Sequence, residues 1–186
     1  AAEAVSRLEV SLVLDVSGSM SGAKIAELQQ AAEAFAQVLM DTMGPQRVSI
    51  NIVPYSTQVA APGGLLDLLT LFTRDHGYSN CLSFRSADFG LVSFLESLAL
   101  EQAAHFDPFY NWGPLSGQTR RAFVCNPNAW AELVLMQNDM AEITPYIQGL
   151  RAGGNTSIDV ATKWGATLLD PAMGTLISVF ENGPGS

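Results

Sequence analysis

An apolar run that stops on an aspartate constrains this chain more than any other feature. Residues 7–15, "RLEVSLVLD", have the β-branched and leucine content of a strand, and "VSLVL" within them is apolar enough to be buried on both faces, as parallel strands are. Asp15 therefore stands at a strand's carboxyl end. Over residues 24–43 the apolar positions Ile25, Leu28, Ala32, Phe35 and Leu39 recur at three-and-four spacing, and Gly44 with Pro45 closes the pattern. That spacing predicts a helix. "RVSINIVPYS" then alternates Val48, Ile50 and Ile52 with polar residues and stops near Pro54, which predicts a second strand. Strand, loop, helix and strand make a βαβ unit, whose two strands run parallel with a right-handed crossover.

Beyond it the pattern changes. Residues 61–128 are rich in Gly, Pro, Ser and aromatics and read as an insertion, with one apolar stretch, "FGLVSFLESLAL", that suits helix or strand. From Ala129 onward, Leu133, Met136, Met140, Ile143, Ile147 and Leu150 repeat at helical spacing, interrupted by Pro145, and predict a second long helix. After "RAGGNTS" a third helix carries Ile158, Ala161, Gly165 and Leu168 on one face and ends at Pro171. The last stretch, "TLISVFENG", reads as a loop leading to a further strand. At 186 residues, with 48% hydrophobic, the chain can build one compact domain, divided as 1–60, the insertion 61–128, and 129–186.

Charge removes several classes of function. Nine basic against eighteen acidic residues leave a formal charge of −9 with no basic stretch, so nucleic acid is excluded as a partner. No apolar run approaches the roughly twenty residues that cross a bilayer. The chain begins without methionine, ends in "NGPGS", and reads as a piece of a longer protein. Cys81 and Cys125 lack the paired spacing of a zinc or redox site, and fit either one disulfide in an oxidising compartment or two buried thiols.

Chemistry concentrates after the first strand. In an open α/β sheet, ligands bind beyond the strand carboxyl ends, where loops converge. Ser17 and Ser19, on a glycine-containing turn, can direct their hydroxyls toward the Asp15 carboxylate. One charge and two neutral oxygens suit a hard divalent ion such as Mg2+, which prefers oxygen ligands and retains waters. Such an ion stays electrophilic and accepts a further carboxylate from outside.

"VLDVSGSM" resembles the DxSxS motif of von Willebrand factor A domains, where it forms a metal-ion-dependent adhesion site. "GGNTSIDVATKWG" is similar to the segment from which that family supplies a threonine, here Thr156. The resemblance implies an α/β, Rossmann-like three-layer parallel sheet with flanking helices. It also implies Asp15, Ser17, Ser19 and Thr156 as ligands of Mg2+, Mn2+ or Ca2+, and a protein partner whose acidic residue completes the site. "DVSGSM", the cysteine-bearing insertion and "GGNTSIDVATKWGATLLDP" together look like the TadG-like proteins of bacterial tight-adherence (Flp) pilus systems. That likeness implies a membrane-anchored parent protein, a position on the periplasmic or extracytoplasmic face of the inner membrane, and a Cys81–Cys125 disulfide. One departure stands out. The family's later strand ending in a TDG-like aspartate has no counterpart here beyond Glu181 or Asn182, so the domain reads as incomplete at its C-terminus and an acidic group of the site is missing.

Other readings compete for the same residues. Asp15, Ser17 and Ser19 are also helix-capping types. A HAD-type phosphatase uses an aspartate after its first strand, but needs a second one where Ser17 stands. "SGAK", with Ser21 and Lys24, matches the SxxK of penicillin-binding proteins without a KTG partner. His76 and His105 read as solvated loop histidines, and Trp112, Trp130 and Trp164 as core aromatics or an aromatic binding face. The expectation is a non-enzymatic, metal-dependent binding module, with a hydrolase using Asp15 or Ser21 and Lys24, or a structural remnant without metal, as alternatives. An open sheet edge further predicts homodimer formation.

Overall fold

A computed structural model describes residues 7–115 and 118–182, with side chains for all of these except residues 108–122. Strand β1 (Leu8–Asp15) runs parallel to β2 (Val48–Tyr55) in unbroken register from Leu8 opposite Val48 to Asp15 opposite Tyr55. Between them lies helix α1 (Ala23–Met43), which Gly44 terminates, its amide donating to the Met40 carbonyl. The βαβ reading holds as far as these elements go.

The helical stripe on α1 is shifted from expectation. Ala32, Ala36 and Met40 are buried, whereas Phe35 is 45% exposed. Small residues at the line of closest approach let the helix settle on the sheet, and the bulky Phe35 is left to one side.

The middle segment forms small sheets of its own. Strand β3 (Phe72–Thr73) and β4 (Leu82–Ser83) flank β5 (Leu100–Gln102), parallel and antiparallel to it respectively, and β6 (Phe106–Leu115) pairs with β7 (Gln118–Phe123) as an antiparallel hairpin. "FGLVSFLESLAL" is neither one helix nor one strand: it makes short 3-10 turns and ends in β5. A disulfide joins Cys81 to Cys125, tying the three-stranded sheet to the base of the hairpin.

The helix expected from Ala129 begins eleven residues later. Strand β8 (Val134–Gln137) comes first and pairs antiparallel with β2, giving a mixed sheet of order β1-β2-β8 rather than a wholly parallel one. Buried Leu133 and Leu135 alternate with less buried Val134 and Met136, so a strand period lay inside spacing that also fits a helix. Asn51 fixes the pairing by accepting from the Met136 amide at 2.9 Å. Helix α2 (Met140–Gly149) then starts where the Asp139 carboxylate caps the Ala141 amide, and it contains Pro145. Helix α3 (Ile158–Leu168) follows as expected, but Pro171 also opens a fourth helix, α4 (Pro171–Asn182). "TLISVFENG" is thus largely helical, because proline at a first helical position gives up no hydrogen bond. No helix among the described residues is long and apolar enough to cross a membrane.

Strand alternation divides the core. Val48, Ile50 and Ile52 of β2 join Leu14 of β1 with residues of α1 and α2, while Val53 and Tyr55 join α3, α4 and leucines of the middle segment. Helix α3 approaches β1 so closely that a Cβ on Gly165 would lie 2.7 Å from Val13 Cγ2. The middle segment is held against α3 by a buried polar and aromatic set. Lys163 donates to the Leu91 carbonyl, Thr167 accepts from the Phe94 amide at 3.1 Å, and the Phe94 ring meets Trp164 edge-on at 4.8 Å. Burial pulls the Lys163 pKa down, with the Asp88 and Glu96 charges acting the other way.

Gly165→Ala is expected to destabilise the protein by about 1–3 kcal/mol, because Val13 is stiff about χ1 and cannot step aside. Urea unfolding of Gly165→Ala, Val13→Ala and the double variant measures this, the double variant being more stable than the two single losses combined predict.

Candidate metal site at the carboxyl end of the central strands

Three loops meet beyond the ends of β1 and β2. The first, following Asp15, is a tight turn in which the Ser17 amide donates to Asp15 Oδ1 at 2.8 Å. Ser17 is buried, at 1% exposure, and its Oγ lies 3.1 Å from that of Ser19. The second loop continues from Tyr55, whose carbonyl accepts from the Val16 amide. The third, residues 150–157, is stitched to both others. Gly153 donates to the Val16 carbonyl at 2.8 Å and Gly18 donates to the Gly154 carbonyl at 2.9 Å. The Asn155 amide donates to Thr57 Oγ1, the Ser157 amide to the Ser56 carbonyl, and the Ser157 hydroxyl to the Thr57 carbonyl, each at 2.9 Å.

Glycine is required where the third loop crosses. Gly154 has φ of 82°, and a Cβ there would sit 3.0 Å from both Ser56 Oγ and Thr57 Oγ1. A side chain there would be strained by the positive φ and would crowd the Ser56 and Thr57 side chains.

The expected site residues are placed as follows. Asp15, Ser17 and Ser19 share one turn. Thr156 lies in the third loop, two residues beyond the Gly154–Gly18 link, and is exposed with no hydrogen bond to its hydroxyl among the described residues. Glu181 and Asn182 do not join the site: they form the exposed last turn of α4, where Asn182 donates to the Ser178 carbonyl. Ser21 and Lys24 are both exposed, without a hydrogen bond between them among the described residues. Sequence reading missed Ser56 and Thr57, which hold the third loop, and Tyr55, which the parallel register sets beside Asp15. Burial, and then the Asp15 charge, push the Tyr55 phenol above its ordinary pKa.

The donor set can be tested against a divalent ion by spacing. Adjacent ligands of an octahedral ion with bonds of about 2.1 Å are about 3.0 Å apart. The Ser17 and Ser19 hydroxyls are hydrogen-bonded to each other at 3.1 Å, which is also that separation. A carboxylate and two hydroxyls are also the ligand chemistry of a hard cation. No group of three or more His, Cys, Asp or Glu side chains suited to a metal occurs among the described residues. Compared with family models, curated proteins and solved structures, the chain gives no match.

The two histidines do not stand apart as expected. Their rings are 6.2 Å apart, and His105 also packs against Tyr78, Phe106 and Phe123 beside the disulfide-linked strands. His76 Nε2 lies 3.0 Å from the Ala103 carbonyl and His105 Nδ1 2.9 Å from Ser79 Oγ. Gln102 ties the loop beneath them, accepting from the Asp75 and His76 amides and donating to the His76 and Ser79 carbonyls. Of the tryptophans, Trp164 is fully buried, Trp130 is half-buried, and the Trp112 side chain lies outside the described residues.

Burial, and then the His76 charge, hold the His105 pKa below its ordinary value of 6.5. The unfolded chain therefore takes up this proton more readily than the folded one, and its contribution to stability is complete above that value and falls as pH drops below it. Denaturant unfolding from neutral to mildly acidic pH is expected to show this decline, and His105→Gln to flatten it.

Proposed function

We propose that this chain is a metal-dependent protein-binding module of the von Willebrand factor A type, in which Asp15, Ser17, Ser19 and Thr156 hold Mg2+, Mn2+ or Ca2+. The observation that carries this reading is the pair of serine hydroxyls at ligand spacing on the turn that bears Asp15. The 150–157 loop, fastened to that turn through Gly153 and Gly154, supports the inclusion of Thr156. Bound there, the ion supplies an electrophile able to take a carboxylate from a partner protein. The chain's own part is to hold one formal charge and several neutral oxygens, leaving the ion short of negative charge.

Packing of α1 and α2 on one sheet face and α3 and α4 on the other supports the three-layer arrangement of that family, with residues 61–128 as its insertion. The likeness of "DVSGSM" and "GGNTSIDVATKWGATLLDP" to TadG-like proteins supports a role in assembling a bacterial tight-adherence pilus. The Cys81–Cys125 disulfide supports an oxidising setting, hence the periplasmic or extracytoplasmic face of the membrane.

Calorimetric titration with Mg2+ and Mn2+ is expected to show one saturable site, abolished by Asp15→Asn. Ser17→Ala with Ser19→Ala should weaken it by about tenfold or more, with the circular-dichroism spectrum retained, because loop hydroxyls contribute little to the core. No cation binding in the unaltered chain would leave a structural scaffold. Phosphatase or ester hydrolysis that Asp15→Asn or Lys24→Ala abolishes, without cation-dependent protein binding, would replace this reading by the hydrolase.

A further inference from the structure

Thr156 is held through its two neighbours, and both are held by one short stretch after β2. On one side the Asn155 amide donates to Thr57 Oγ1; on the other the Ser157 amide donates to the Ser56 carbonyl and the Ser157 hydroxyl to the Thr57 carbonyl, each at 2.9 Å. The exposed Thr156 takes part in none of the three. The base of this clamp is firm. Tyr55 and Val59 are buried on either side of it, and the Ser56 amide closes the turn by donating to the Gln58 carbonyl at 3.2 Å.

Ser157 is used in an unusual way. It stands at the N-cap of α3, where a serine hydroxyl ordinarily accepts from an amide of the first helical turn. It makes no such bond, and its hydroxyl goes to Thr57 instead. Thr57 in turn spends its own hydroxyl on an amide 98 positions along the chain. Bonds that would serve each residue's own element serve the peptide between Asn155 and Ser157.

From this we propose that Thr57 and Ser157 are positioning residues, which fix the Thr156 peptide at the sheet edge for the ion at Asp15, Ser17 and Ser19 and so set how well the site tells Mg2+ from Ca2+. This rests on the function proposed above. Mg2+ demands near-ideal octahedral geometry at about 2.1 Å, whereas Ca2+ accepts roughly six to eight oxygens at about 2.3–2.6 Å in irregular arrangements. A ligand free to drift therefore costs Mg2+ more than Ca2+.

Two measurements separate the clamp from the ion. Amide exchange followed by nuclear magnetic resonance in chelator reads the clamp alone. Thr57→Val keeps the branched shape and loses the acceptor, so the Asn155 amide should exchange faster while amides along β1 and β2 keep the rates of the unaltered chain. Calorimetric titration reads the ion. Thr57→Val and Ser157→Ala should each weaken Mg2+ by about tenfold or more, and Ca2+ by less. Thr57→Ser, which retains the hydroxyl, should match the unaltered chain in both measurements. Mg2+ affinity unchanged by Thr57→Val, or an Asn155 amide indifferent to it, overturns the clamp. Equal losses for the two ions overturn its part in choosing between them. An unaltered chain that binds no cation, with Asn155 exchange still responding to Thr57→Val, overturns the function proposed above and the clamp's role at an ion, while the bond to Thr57 stands.

Discussion

The parallel pairing of β1 with β2 governs where everything else in this protein can go. Because Leu8 through Asp15 match Val48 through Tyr55 residue for residue, the turn after Asp15 and the turn after Tyr55 emerge side by side from the same sheet end. A slip of one residue would exchange the two faces of β1, carrying Leu14 out of the core shared with α1 and α2. The same slip would take Asp15 to the wrong face and part it from Tyr55. Core packing therefore fixes the position of the acidic turn, which itself adds little to stability. The 150–157 loop then completes the edge with backbone hydrogen bonds, which tolerate almost any side chain except where Gly154 must stay bare.

How far the sequence disclosed this depends on which period each segment carries. β1 was legible as an apolar strand, although of its residues only Leu14 is buried and Val13 is 36% exposed rather than both faces being covered. α1, β2 and α3 were legible because each has one repeat, with a breaker such as Gly44 or Pro171 near its end. β8 was not, since Leu133, Met136 and Met140 satisfy helical spacing while Leu133 and Leu135 satisfy strand spacing. What decided between them was Asn51, a partner more than eighty positions away, which no local window contains. The fourth helix was hidden by reading Pro171 only as a stop, although the same residue is well suited to start a helix. Within the site, Asp15, Ser17 and Ser19 were visible as a local motif. Ser56 and Thr57 were not, because their role is to hold another loop and leaves no trace in their own neighbourhood. The histidine cluster was missed for a related reason: His76 and His105 are brought together by a 75–79 loop that Gln102, 26 residues beyond His76, holds in place.

The middle segment shows how a stretch with little regular structure can still be fixed in place. Its strands are short, and its chain direction changes at several 3-10 turns, so it cannot bury much apolar surface alone. Two devices compensate. The disulfide limits how far the β4 and β7 ends can part, and leucines 65, 66, 69, 82 and 100 enter the same core as Trp164 and Met173. Asp88 shows the local version of this economy. Burial alone would raise its carboxyl pKa, and hydrogen bonds from the Arg85 backbone and guanidinium more than offset that, holding it below the usual range. A buried carboxylate bonded in this way fixes a turn that has no ladder to fix it.

Helix α3 joins these two halves mechanically. Its amino-terminal end carries the loop that Ser56, Thr57, Val16 and Gly18 hold at the sheet edge, and its middle and last turns carry Lys163, Trp164 and Thr167 against residues 91–94. One face of the helix lies on Val13 through Gly165 with no spare room. A rod pinned along its length moves as a unit or not at all, since packed interiors respond to displacement in discrete steps. Residues 91–94 and the 150–157 loop are thus both in contact with this one helix or its amino-terminal end. The loop that carries Thr156 leads directly into this helix.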